Sequence, residues 1–366
     1  MVTVRYSASL KLDANQRIKV ELSGPHDSIK ETFAPIQGAL ELPSKGWRPV
    51  WSFPMERLRE VEAAMKGMQG LALNVDPLPQ VVHKVLTTAA RQPDDSARYD
   101  RLQEVVLGPD ETLDDRMMPF QREGVKFGLA RGGRVLVGDE MGLGKTVQAC
   151  ALLWCYRDEW PALIVAPSSL RRAGEGGPVG ESEALTWAAA LYDWLRVTED
   201  RVACILTGAD VKRSLARQFD ALIISYDLFA KCADELTAAR KFKVVVLDEA
   251  HLIKNTKAKR TKAALPVLHA ARRTILLTGT PTLSRPAELL PQLQGLLPGA
   301  RISKREYAER YCEPTKWDDM AGSKNTDELH HLVGRIMVRR KKNEVLQQLP
   351  PKRRHKGRWA WGGLAV

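Results

Sequence analysis

Apolar and polar positions follow two different rhythms along the 366 residues of this chain. Residues 2–11 and 17–22 alternate between the two classes, the period of strands with one buried face. Residues 27–36 and 55–65 space their apolar positions for helices, residues 50–53 predict a short strand, and Gly46-Trp47 marks a turn. A polar, proline-bearing stretch over residues 76–115 follows, loosest around Arg91-Gln92-Pro93-Asp94-Asp95. From Met118 onward the pattern becomes unbroken apolar runs at 135–137, 163–166, 202–206, 222–225, 244–247 and 275–277, separated by helical stretches. Unbroken runs predict strands covered on both faces. Six of them alternating with helices predict an α/β domain built on a doubly wound parallel sheet. The expected organisation is a small α+β unit over residues 1–70, a linker over 71–115, an α/β lobe over 116–331 and a tail over 332–366.

Composition changes this picture little. At 44% hydrophobic and 27% charged residues the chain falls in the ordinary globular range. No apolar run reaches the roughly 18 residues a membrane helix needs, so no membrane partner is expected. The first residues lack a basic stretch followed by an apolar core, so no secretory signal is visible. Cys150, Cys155, Cys204, Cys232 and Cys312 are thinly spread, without metal-ligand spacing or a disulfide framework, which predicts a reducing compartment. The net charge of +12 suggests an acidic partner, but residues 332–366 hold ten basic residues against Glu344 alone. Nine of the twelve units of net positive charge therefore sit in the tail, and the rest of the chain is nearly neutral. Motifs, rather than bulk charge, carry the functional argument.

The segment Arg134-Val135-Leu136-Val137-Gly138-Asp139-Glu140-Met141-Gly142-Leu143-Gly144-Lys145-Thr146 reads as strand, turn, then helix. Gly142 and Gly144 let the backbone approach a polyphosphate and aim successive N–H groups at it. Lys145 would reach the β- and γ-phosphates of ATP, and the Thr146 hydroxyl would ligate Mg²⁺. Asp139 stands where the general phosphate-loop pattern has its first glycine. About a hundred residues later, Lys243-Val244-Val245-Val246-Leu247-Asp248-Glu249-Ala250-His251 ends a buried strand on two carboxylates. Asp248 would hold Mg²⁺ and Glu249 would polarise the attacking water. Paired acids at a strand end also cap helices; the preceding Lys145 motif favours the catalytic reading. Parallel sheets bind ligands beyond the carboxyl ends of their strands, which puts both motifs on one edge. His251 either contacts a neighbouring loop or starts a helix. Leu277-Thr278-Gly279-Thr280-Pro281, third in order, reads as a coupling element that senses the γ-phosphate.

Taken together, Asp139 to Thr146, Asp248 to His251 with its Leu252-Ile253-Lys254-Asn255 extension, and Leu277 to Pro281 resemble the Swi/Snf group of superfamily-two helicases. An aspartate at position 139 is usual in that group. More narrowly, Met118-Pro119-Phe120-Gln121-Arg122-Glu123-Gly124-Val125, Pro167-Ser168-Ser169-Leu170 and Ser284-Arg285-Pro286-Ala287-Glu288-Leu289 resemble the annealing helicases of the HARP class. Residues 1–66, with Lys45-Gly46-Trp47 and Val50-Trp51-Ser52-Phe53-Pro54-Met55, look like the HARP domain of those proteins.

The resemblance implies a RecA-like, ATP- and Mg²⁺-dependent motor lobe that rewinds or remodels forked DNA at stalled replication forks. It further implies a monomer in the nucleus, with forked DNA or single-strand/double-strand junctions as partner and a single-strand-binding protein as a candidate partner. By the same analogy Gln121 contacts adenine, residues 139–146 hold the nucleotide, and His251, Thr278, Gly279 and Thr280 couple it to DNA. Pro167, Ser168, Ser169, Ser225 and Tyr226 would lie on the DNA-facing edge. Trp47 and Trp51 would either stack on exposed bases or pack in the core of the small unit. Two features depart from the family. Residues 172–185 lengthen the loop after Leu170, either as a surface insertion or as an unspliced stretch. Only one α/β lobe is legible, so the second lobe and its arginine finger are absent and the chain reads as a truncated record of the motor. The alternative is a non-catalytic, ATP- and DNA-binding half-motor.

Overall fold

The computed structural model describes residues 5–12, 17–23, 26–43, 49–68, 72–76, 78–168, 183–279, 285–316, 318 and 320–348. Its N-terminal unit is a five-stranded sheet. The strands are β1 (Arg5–Leu12), β2 (Arg17–Leu22), β3 (Leu40–Leu42), β4 (Val50–Pro54) and β5 (Ala72–Asp76), in the order β3-β4-β2-β1-β5. Helix α1 (His26–Phe33) lies between β2 and β3, and α2 (Leu58–Gly67) follows β4 after one 3-10 turn. The alternation read in residues 17–22 has its physical counterpart here: Ile18, Val20 and Leu22 are buried and the residues between them are not. Trp51 belongs to this core, 3% exposed, with its ring 6.3 Å from Phe53 and 6.0 Å from Phe33. Of its two expected roles the structure gives it packing. Trp47 lies outside the described residues.

The small unit extends past residue 70, because β5 adds to β1 as its parallel edge strand. The stretch expected to be a linker is built rather than loose. It holds α3 (Gln80–Ala89), a hairpin of β6 (Val106–Gly108) and β7 (Glu111–Thr112), and the short α4 (Leu113–Arg116). Asp95, in the segment expected to be loosest, donates its N–H to the Leu129 carbonyl at 2.9 Å and accepts from the Tyr156 hydroxyl at 3.2 Å. Its carboxylate also pairs with Arg273, a guanidinium only 1% exposed that is held 2.7 Å from Glu159. A charge buried that deeply is tolerable only when fully paired, so the connector is locked where it crosses the sheet end.

The lobe proper begins with α5 (Pro119–Leu129), β8 (Arg134–Val137), α6 (Lys145–Cys155) and β9 (Ala162–Ala166). It continues through α7 (Glu183–Leu195), β10 (Val202–Ile205), α8 (Asp210–Leu215), β11 (Ala221–Ser225), α9 (Tyr226–Ala239), β12 (Val244–Leu247), α10 (Lys259–Ala270) and β13 (Arg273–Leu277). The chain then forms α11 (Pro286–Leu296), α12 (Lys304–Tyr311), α13 (Thr326–Val333) and β14 (Met337–Val338). The seven strands pair in parallel in the order β10-β11-β9-β12-β13-β8-β14. Alternate residues of one strand feed opposite cores. Val135, Ile164, Ile223, Val246 and Ile275 pack on the side of α5, α6 and α7. Leu136, Leu163, Leu222, Val245 and Leu276 pack on the side of α9, α10 and α11. Two covered faces account for unbroken apolar runs with no polar alternation.

The seventh strand corrects the expected boundary at residue 331. Met337 and Val338 lie in register with Leu136 and Val137, and Gly138 donates to the Val338 carbonyl at 2.7 Å. Residues 336–348 therefore belong to the lobe. The small unit's core runs without a break into the α9–α11 face through Val85 and Leu86 of α3. Lys84, midway along α3, pairs with Glu306 at 2.7 Å, and Glu56, in the turn after β4, pairs with Arg335, tying the two units.

Candidate nucleotide site

Helix α6 starts with no side-chain cap. Gly144 stands before it with φ +72°, and Gly142 has φ +83°. Both are left-handed conformations that a residue with a Cβ adopts only under strain. At Gly144 a Cβ would also fall 2.4 Å from Gln121 Nε2. The N–H groups of Gly144, Lys145 and Thr146 have no hydrogen-bond partner among the described residues, the arrangement that makes a helix start receptive to an anion. The Lys145 ammonium donates to the Asp139 carbonyl at 3.0 Å, across the loop it serves.

Asp139 is wholly buried. Oδ2 accepts from Gln148 Nε2 at 2.8 Å; Oδ1 accepts from the Arg340 backbone N–H at 2.9 Å and from Arg340 Nε at 3.2 Å. Of the eight residues expected to hold the nucleotide, Asp139 thus acts by pinning the loop. Glu140 does the same, its carboxylate accepting the Lys342 N–H at 2.8 Å. The Arg340 guanidinium carbon lies 5.3 Å from the centre of the Phe120 ring, and both Nη atoms are buried without hydrogen-bond partners among the described residues. Gln121 is buried, accepting the Met118 N–H at 3.0 Å and donating to the Leu143 carbonyl at 3.1 Å. It joins α5 to the phosphate loop.

The second motif sits at the carboxyl end of β12. Asp248 Oδ2 accepts from Trp187 Nε1 and Oδ1 from the Glu249 N–H, both at 2.9 Å. Burial raises the Asp248 carboxyl above the ordinary carboxylate range, the two donated hydrogen bonds acting against it. Glu249 has φ +47°, a strained conformation for a residue with a side chain. His251 Nδ1 lies 3.1 Å from Glu249 Oε2 and 3.3 Å from Thr278 Oγ1, so the imidazole bridges the second and third motifs. Of the two roles open to His251, this is contact with a neighbouring loop, although a 3-10 turn also runs over Ala250–Ile253. Gly279 faces the phosphate loop closely enough that a Cβ would lie 3.4 Å from Lys145 Nζ and 2.5 Å from Met141 Cγ. Thr280 and Ser169 lie outside the described residues.

Tyr226 was expected at the DNA-facing edge. Its side chain is instead 2% exposed, with its hydroxyl donating to the Asp248 carbonyl at 2.7 Å. Ser225 caps α9 by accepting the Leu228 N–H at 3.4 Å; Pro167 is half-buried and Ser168 exposed beyond β9. Trp187, Gln148 and Arg340 were not legible as site residues. Trp187 is 61 positions from Asp248 and Arg340 is 201 from Asp139, and no local pattern links residues that only the sheet order brings together.

The residues fit ATP with Mg²⁺. The two left-handed glycines leave a cradle that a Cβ would fill, and a buried strand-end carboxylate faces the same edge. Among the described residues no group of three or more His, Cys, Asp or Glu could hold a metal ion.

Comparison with known proteins decides the lineage. The SNF2-related domain matches residues 120–358. The chain belongs to the SNF2-related family. Within it, 311 residues are 39% identical to the SWI/SNF-related matrix-associated actin-dependent regulator of chromatin subfamily A-like protein 1 of Xenopus laevis, covering 83% of this chain and 30% of that one. A further match, 40% over 256 residues, is to the DNA annealing helicase and endonuclease ZRANB3 of Mus musculus, covering 67% of this chain and 22% of the relative. The chain thus spans less than a third of either relative's length. Among solved structures the Sulfolobus solfataricus SWI2/SNF2 ATPase core in complex with dsDNA shares the fold, with a TM-score of 0.50 and 24% identity over 67% of this chain and 49% of that one. The lobe described above has the RecA-like α/β fold of that ATPase core.

Proposed function

We propose that this chain is the ATP-binding lobe of a DNA-dependent ATPase that rewinds or remodels forked DNA, working in the nucleus. The observation that carries the proposal is the meeting of three motifs on one sheet edge. Lys145 and the free amides at the start of α6, Asp248 and Glu249 at the end of β12, and Thr278 and Gly279 after β13 are joined through His251 and Lys145. The names of the two relatives, a chromatin regulator and a DNA annealing helicase, support DNA as the partner and the nucleus as the compartment.

Each residue has a task set by its surroundings. The amides of residues 144–146 and the Lys145 ammonium bind and orient the polyphosphate. Thr146 and Asp248 would hold Mg²⁺, which would supply neutralisation of the phosphate charge. Trp187 and the Glu249 N–H fix the Asp248 carboxylate, and the Tyr226 hydroxyl fixes its backbone. Glu249 orients the attacking water and takes its proton; His251, against both Glu249 and Thr278, reports the state of that carboxylate to the third motif.

DNA-stimulated phosphate release by the purified chain tests the proposal. Wild-type hydrolysis should rise when forked DNA is added, and Glu249→Gln should lose about 10²–10⁴-fold in rate, the usual worth of a positioned general base, while still binding ATP. Fork binding with no turnover in the wild type would instead support a non-catalytic, ATP- and DNA-binding half-motor.

A further inference from the structure

The segment after β14 lies over the phosphate loop. Val345 packs with Phe120 and Leu143, the Glu140 N–H donates to the Arg340 carbonyl at 2.9 Å, and the Glu140 carboxylate accepts the Lys342 N–H at 2.8 Å. Held between these anchors, the Lys342 side chain reaches Gly142. Its ammonium lies 3.4 Å, and its Cε 3.5 Å, from the point where a Cβ on Gly142 would stand. Lys342 makes no ion pair within the described residues. An ammonium unpaired among the described residues therefore stands beside Gly142, in the loop that leads into the start of α6, where a second ammonium, Lys145, and the positive end of the helix lie. Like charges gathered in this way are mutually unfavourable, and a polyanion relieves them.

We propose that Lys342 is a second cationic contact for the nucleotide polyphosphate, in addition to Lys145. The inference rests on the reading that this loop binds ATP. The backbone on both sides of Lys342 is fixed by the loop itself, so little of its freedom remains to be lost when the nucleotide arrives. A lysine here acts as a point charge with three donors, so an arginine retains the attraction and a glutamine removes it.

Displacement of a fluorescent ATP analogue from the full chain tests this, with melting temperature as a check on folding. Lys342→Gln should weaken ATP binding about tenfold, equivalent to about 1.4 kcal/mol, while Lys342→Arg stays within about threefold of wild type. Melting without nucleotide should be unchanged, because the side chain is exposed. An ATP affinity within about twofold of wild type for Lys342→Gln, in a protein where Lys145→Ala abolishes binding, overturns the role of Lys342 alone. Unchanged affinity in both variants overturns the nucleotide site itself.

Discussion

Replacing Arg340 by methionine keeps most of the side chain's volume and removes its charge. The structure assigns this change a definite cost. Asp139 has no exposure at all and Arg340 is 12% exposed, with Nε 3.2 Å from the carboxylate. Removing one member of a buried pair strands the other, at about 3–5 kcal/mol. Asp139 would keep two hydrogen bonds, from Gln148 and from the backbone N–H of residue 340. The lower end applies, about 3 kcal/mol, or roughly 6–12 °C in melting temperature for a lobe of this size. Urea unfolding of wild type, Arg340→Met, Asp139→Asn and the double variant at pH 7 measures it. The double variant should recover about 2 kcal/mol relative to the sum of the singles, since neither charge is then buried alone. An Arg340→Met protein within about 0.5 kcal/mol of wild type, or a strictly additive cycle, would refute the reasoning.

Two further tests address the same site. Gly124→Ala places a Cβ 1.9 Å from Gln148 Oε1 and 2.6 Å from Arg340 Nη2, displacing both partners of Asp139; a loss of about 1–3 kcal/mol on urea unfolding is expected, and an unaltered midpoint would show that α5 yields freely. Burial raises the Asp248 pKa, so its contribution to stability is complete below the ordinary carboxylate value and is lost as pH rises through the raised one. Mg²⁺ binding by the ionised carboxylate offsets that loss. The rise in melting temperature with Mg²⁺ and ATP should therefore be larger at pH 7.5 than at pH 5, and the pH difference should shrink in Asp248→Asn; equal increments at both pH values would contradict the assignment.

What the sequence determined by itself was whatever depends on neighbours along the chain. Six of the lobe's strands were legible because burial on both faces demands runs such as Val244–Leu247, and burial on one face demands the alternation of Arg17–Leu22. The phosphate loop was legible because Gly142 and Gly144 must adopt left-handed conformations next to a helix start. Tertiary structure decided what depends on sheet order. Met337–Val338, only two residues long, carries too little pattern to read as a strand, yet it closes the sheet edge and delivers Arg340 to Asp139. Trp51 and Tyr226 present the same difficulty from the other side. An aromatic ring with a polar tip suits a core or a ligand surface equally well, and the sequence carries no signal for which. The fold packs one ring against Phe33 and Phe53, with its indole Nε1 buried and without a hydrogen-bond partner among the described residues, and turns the other's hydroxyl onto the Asp248 carbonyl.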